Sequence, residues 1–293
     1  MIITLKNDKY AAQVDSYGAQ LISLKDNTGT EYIWQRKEPF WSECAPILFP
    51  VVGRPLDGVI TVDGKNYEMG LHGFARHTEF AVVSQNDAAA VLSIKATDET
   101  RKIYPYDFEL VITYTLDDEG IDTEMKIVND DKKEIYFGIG GHPGISWPIF
   151  EGDSFDDYVI DFGKDYDITA VTCSEDDVIL PDSVYKLSLD NGKLAVKREL
   201  FDPDAIIIDR APFNSLKFVN KENKGIEFKF ENFKSFAMWT SRTPSEAPFV
   251  CFEPWNSMGK RKGENTNLKD KMDIVNLAEG KEFVCSYKIC PIN

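Results

Sequence analysis

No uninterrupted apolar run in the 293 residues approaches twenty, the length a membrane-crossing helix needs. The opening, MIITLKNDKY, also lacks the basic end and apolar middle of a secretion signal, so a cytoplasmic location is expected. Cysteine is sparse and odd in number. The five residues, Cys44, Cys173, Cys251, Cys285 and Cys290, lie at scattered spacings, which argues against a disulfide framework and suits a reducing compartment. Histidine is scarcer still. With three in the chain, and neither a CxxC nor an HxxxH pair, a dedicated zinc site has few possible ligands, and no metal is expected. Positive charge is outnumbered, 33 Lys and Arg against 49 Asp and Glu. The formal net charge of -16 gives a field that repels phosphate backbones and anionic headgroups, which disfavours nucleic acid and membrane surfaces as partners and leaves a small neutral ligand compatible.

Apolar residues supply 43% of the chain, enough for a sizeable core, and disorder is not expected. From the start they alternate with polar ones in short runs, IITLKN, YAAQVD and AQLISLKD, separated by Asn, Asp, Gly and Thr clusters. That period of two reads as strands joined by tight turns. In GVITVDGKNYEM the pair Asp63-Gly64 sits between two alternating segments, the local chemistry of a hairpin turn at positive φ. EFAVVSQ, AAVLSIKATD, FELVITYTLDDEG and IDTEMKIVNDD follow in close succession, as in a meander. The acidic, aromatic stretch from Phe150 to Asp177 reads as further strands with acidic loops, and KDKMDIVNLAEG offers a short turn or helix before the final strand. These signals predict an all-β fold, a large antiparallel β-sandwich in one domain over residues 1–293. A sandwich of this size curved on one side leaves a face where a small polar ligand can sit.

Three local patterns combine a titratable residue with backbone punctuation. GLHGFAR places His72 and Arg76 among glycines, shortly after Gly53, Arg54 and Pro55, and reads as a polar site built at strand ends. GIGGHPGI holds His142 between a diglycine and a proline, where the backbone is fixed. FVCFEPW places Glu253 in a strongly apolar strand, where an unpaired carboxylate costs free energy unless it is paired or functional. A histidine without such a setting, His77, defaults to a structural role, and the two arginines also have 49 acidic residues with which to pair.

Together with YGAQLISLKD, PILFPVVGRPLDG and AMWT, these patterns run in order through nearly the whole chain, and the sequence resembles the aldose 1-epimerases, or mutarotases. Within that family it is most similar to the branch of LacX-like proteins and hexose-6-phosphate epimerases. The resemblance implies a galactose mutarotase-like supersandwich with the sugar in an open cleft. It implies Glu253 as the base, His142 as the acid, and His72 holding the sugar near its ring oxygen. It further implies Arg54 and Arg76 as cleft-lining arginines, and an aspartate contacting sugar hydroxyls for which Asp209 in AIIIDR is the match. Trp239 and Trp255 serve either as core filler or as faces on which a sugar stacks.

The chemistry asks for the same pair. Opening a cyclic hemiacetal removes a proton from the anomeric oxygen and adds one to the ring oxygen, so an acid and a base facing each other across that C–O bond serve both directions. No cofactor is required. Two other readings stay open at this level: an epimerase for hexose 6-phosphates, with Arg54 and Arg76 gripping the phosphate, and a noncatalytic sugar-binding protein on the same scaffold. A monomer or weak homodimer is expected.

Overall fold

The computed structural model describes residues 1–174, 176–202, 204–242 and 246–293. Nearly every regular element is an antiparallel strand, as the alternation requires. The largest sheet has nine strands in the order Lys193–Ala195, Val159–Asp161, Ser215–Val219, Gly225–Glu231, Glu282–Ile292, Ile121–Asn129, Phe108–Leu116, Ala89–Lys95 and Ala81–Gln85. Every second residue of Ile121–Asn129 is buried, the period-two signature of a sheet with one face on the core. The expected hairpin forms between Val59–Val62 and Lys65–Glu68, with Asp63 and Gly64 both at positive φ. In KDKMDIVNLAEG the structure has only a single 3-10 turn, Leu268–Asp270, and then a short strand, Val275–Leu277, which pairs with Ile135–Phe137.

The second large sheet carries the site. Its spine is Phe249–Asn256, the FVCFEPW strand, which pairs on one edge with Ser235–Trp239 and on the other with two short strands, Ile139–Gly141 and Gly144–Ser146. All eight residues of this spine are buried, because both of its faces are covered. Phe252 points between the sheets, its ring 5.5 Å from Phe218 and 5.8 Å from Phe228 of the nine-stranded sheet and stacked on Phe236 of its neighbour. A Phe ring moved from water to such a site contributes about 1.5–3 kcal/mol. The opposite face of the same sheet carries a smaller apolar cluster that includes Leu48, Val52, Ile207, Ala237 and Trp255. Residues on a strand alternate between faces, so Phe252 in the core puts Cys251, Glu253 and Trp255 on the other side, and a one-residue slip would exchange Phe252 with Glu253. The packing of one aromatic residue thereby fixes where a carboxylate stands.

Candidate active site

Glu253 and His142 lie 111 positions apart in sequence and meet through strand pairing. Gly140 pairs with Trp255 and Gly144 with Cys251, so both flanks of the GGHPG segment are bonded to the same edge of the spine. The interruption, His142-Pro143, falls level with Glu253. Proline has no N–H to give to a ladder, but its carbonyl accepts from the Phe252 N–H at 3.2 Å, which holds the break against the strand. The glycines are needed for close approach: a Cβ on Gly141 would stand 2.4 Å from the Tyr287 ring of the other sheet. The result brings His142 Nε2 to 3.1 Å from Glu253 Oε2, both side chains almost wholly buried, at 7% and 2% exposure. The acid and base predicted from sequence are therefore in direct contact and side by side, rather than facing each other across a gap.

Burial governs their protonation. It pushes the Glu253 carboxyl well above its ordinary 4.5, helped by the Asp204 carboxylate. It pushes the His142 imidazole down from 6.5 to about 3, with the Arg76 guanidinium adding to the effect. Both shifts favour the uncharged forms, with the proton on the carboxyl and the imidazole neutral. That arrangement can give a proton to one atom and take one from its neighbour in the same event.

His72 stands beside them, its ring 5.6 Å from that of His142. Its Nδ1 accepts a hydrogen bond from the Gly53 N–H at 3.0 Å, and its own backbone N–H donates to the Gly53 carbonyl at 2.8 Å. Because Nδ1 accepts, the ring proton of the neutral imidazole resides on Nε2, which makes His72 a donor. Burial, then His142, Arg76 and Arg54, hold it well below 6.5 and keep it neutral. Gly53 has no substitute in this lock: a Cβ there would stand 2.4 Å from the Gly259 backbone.

These residues border a cavity of about 320 Å³, within the usual range of small-ligand sites. Glu253, His142, His72, Arg54 and Arg76 all line it. Asp209 does not. The strand that precedes it ends at Ile208 and the chain turns at Arg210, so Asp209 pairs with Arg261 at 3.7 Å, outside the cleft. The cleft aspartates are Asp204 and Asp177. Asp204 accepts from Trp239 Nε1 at 3.2 Å and lies in the same FDPDAIIIDR stretch, where spacing alone cannot choose between two aspartates five residues apart. Sequence reasoning also missed Trp41 and Glu43. Trp41 packs against His142 at 4.9 Å between ring centroids, and Trp239 meets the same imidazole edge-on at 5.6 Å, so the ring is clasped by two indoles. Glu43 bonds to Arg76. The PFWSECAP segment that carries both has no strand alternation and no punctuation around a titratable group, so it gave no signal.

Among the described residues, one group has the composition of a metal site, His142, Cys251 and Glu253, with ligand atoms within 4.8 Å of one another. Two of the three already face each other at hydrogen-bond distance, so an ion there would have to displace the shared proton.

Comparison with known proteins finds relatives that match the chain along its length. The sequence profile of the family described as aldose 1-epimerase matches residues 1–272. The chain is 31% identical to the chromosomal LacX protein of Lactococcus lactis subsp. lactis over the full length of both. Among solved structures, it is similar to a galactose mutarotase related enzyme from Lactobacillus acidophilus, at a TM-score of 0.91 and 27% identity over 100% of this chain and 98% of that one. A galactose mutarotase-like protein from Lactobacillus casei gives 0.90 and 26% over 99% of each.

Proposed function

Because the chain belongs to the aldose 1-epimerase family, we propose that it is an isomerase that interconverts the α and β anomers of a free aldose, with Glu253 and His142 moving the protons. The observation that carries this reading is the 3.1 Å contact between His142 Nε2 and Glu253 Oε2 on the wall of a ligand-sized cleft. The anomeric hydroxyl and the ring oxygen are bonded to the same carbon, so the groups that serve them must be neighbours. Without sugar, burial favours the uncharged arrangement with the proton on the carboxyl. Passing that proton along the contact to Nε2 arms the pair as carboxylate base and imidazolium acid.

Glu253 then takes the proton of the anomeric hydroxyl while His142 protonates the ring oxygen, and the ring opens. His72 donates from Nε2 toward the same oxygen and cannot take the proton itself, because its other nitrogen is committed to Gly53. Rotation about the bond between the first two carbons presents the other carbonyl face, and the reverse transfers close the ring to the other anomer. Each positioned acid or base supplies about 10²–10⁴-fold, which suffices for a reaction that already proceeds unaided. Trp41 and Trp239 offer flat apolar faces to one side of the sugar.

Arg54 keeps the hexose 6-phosphate reading in view, since it is exposed and lines the cleft. The remaining charges weigh against it: Glu43, Asp177 and Asp204 outnumber Arg54 and Arg76 around the cavity. Polarimetry on freshly dissolved α-glucose and α-galactose, with and without protein, tests the proposal. Faster decay of the rotation to the same endpoint is expected, whereas no acceleration across several aldoses identifies a noncatalytic binder.

A further inference from the structure

Arg76 would be a natural phosphate anchor at the cleft, yet its guanidinium is already taken: Nη1 donates to Glu43 Oε2, and both side chains are largely buried. The pair is only half satisfied. Arg76 Nε and Glu43 Oε1 are buried and have no hydrogen-bond partner among the described residues. Both residues line the cleft, but these two atoms are closed off from solvent, so the Glu43 carboxylate acts on a ligand there through its charge. A sugar hydroxyl brings no charge to this place, whereas a phosphate supplies only acceptors and negative charge.

We propose that Glu43 reserves this cleft for an uncharged sugar, by occupying the Arg76 guanidinium and by holding a carboxylate where a phosphate would have to approach it. The proposal rests on the epimerase reading above and adds to it the residue that sets the substrate class. Bringing a dianionic group to Arg76 means either displacing Glu43 or placing like charges beside each other in a poorly solvated site. A neutral hydroxyl faces neither obstacle.

The test is anomer exchange measured by NMR at equilibrium, on glucose and on glucose 6-phosphate, with the full-length protein and Glu43→Gln. The wild type is expected to favour glucose in kcat/KM by at least about tenfold, since like-charge repulsion in a poorly solvated site is worth at least that much. Glu43→Gln keeps the volume and removes the charge, and should cut that preference at least about tenfold, chiefly through a lower KM for the phosphate. The double variant Glu43→Gln/Arg76→Gln should lose the gain toward phosphate. Glu43→Asp, which keeps the charge, should keep the preference, and this separates charge from a general disturbance of the cleft. An unchanged ratio in Glu43→Gln, or a wild type that prefers the phosphate, overturns the proposal. If the wild type accelerates neither sugar, the epimerase reading fails by itself. The same four proteins are then compared by quenching of Trp41 and Trp239 fluorescence on titration with each sugar, where binding without charge discrimination overturns the role of Glu43.

Discussion

Glu253→Gln should make the protein slower and more stable at once, and the two effects have separate origins. The substitution exchanges an oxygen for an amide nitrogen at nearly constant volume in a site with 2% exposure, so the fold has no reason to change. The base is lost. Its contribution of at least about 100-fold corresponds to about 2.7 kcal/mol of barrier, so the polarimetric rate should fall by two decades or more. Stability moves the other way, because burial holds the native carboxyl above the 4.5 it has when exposed. Between 4.5 and the raised native value, the folded protein binds at Glu253 a proton that the unfolded chain has released, so the contribution of Glu253 to wild-type stability declines with rising pH by up to about 1.4 kcal/mol per unit. An amide at this position does not titrate, so the variant lacks that slope. His142, neutral when folded and protonated below 6.5 when unfolded, contributes a slope of the opposite sign below 6.5, but it does so in both proteins and cancels from their difference. Denaturant unfolding followed by tryptophan fluorescence at pH 5, 6, 7 and 8 should show the variant's advantage widening with pH until the raised native value is passed. A near-normal rate refutes the role of Glu253 in proton transfer, and a stability gap that stays constant with pH refutes the buried, proton-retaining carboxyl.

His142→Ala should reduce turnover at least about 100-fold with an unchanged circular dichroism spectrum, and retention of most activity would exclude it as the acid. Because burial drives that imidazole down to about 3, kcat/KM should show no acidic fall between pH 5 and 7; an acidic fall centred on 6.5 would place the working histidine in water. Gly141→Ala sets a methyl 2.4 Å from the Tyr287 ring beneath the catalytic loop, so the melting temperature should drop by the equivalent of about 1–3 kcal/mol and kcat should drop with it; wild-type values in both would mean that the approach is not tight. Asp204→Asn should raise KM about tenfold, and Asp209→Asn should leave it within about twofold, since only the former borders the cavity. The reverse pattern in steady-state kinetics would restore Asp209 as the sugar contact.

What could be read in the sequence was whatever left a local trace. A carboxylate inside FVCFEPW contradicts the hydrophobic demand of its strand, and a histidine between diglycine and proline sits on constrained backbone, so Glu253 and His142 announced themselves. Asp63-Gly64 did so for the hairpin, because positive φ at both positions has a restricted vocabulary. Information held only in pairing was hidden. Nothing local says that Ile139–Gly141 and Gly144–Ser146 dock on one strand edge, and that docking brings two distant groups within 3.1 Å of each other. Nor does composition reveal that Arg76 is already engaged by Glu43, which sits in a segment without regular structure. The same limit explains Asp209, whose fate depends on a strand ending one residue before it.

The carboxylate and the groups that border the cavity are carried by different kinds of scaffold. Glu253 rides on a fully enclosed strand bonded along both edges, whereas Trp41, Glu43, Asp177 and Asp204 all project from connecting loops. Loops accept substitution and insertion far more readily than such a strand does. Descendants of this chain are therefore free to vary what borders the cavity while inheriting the position of the buried carboxylate unaltered, and a change in the ligand admitted should appear first in those four positions.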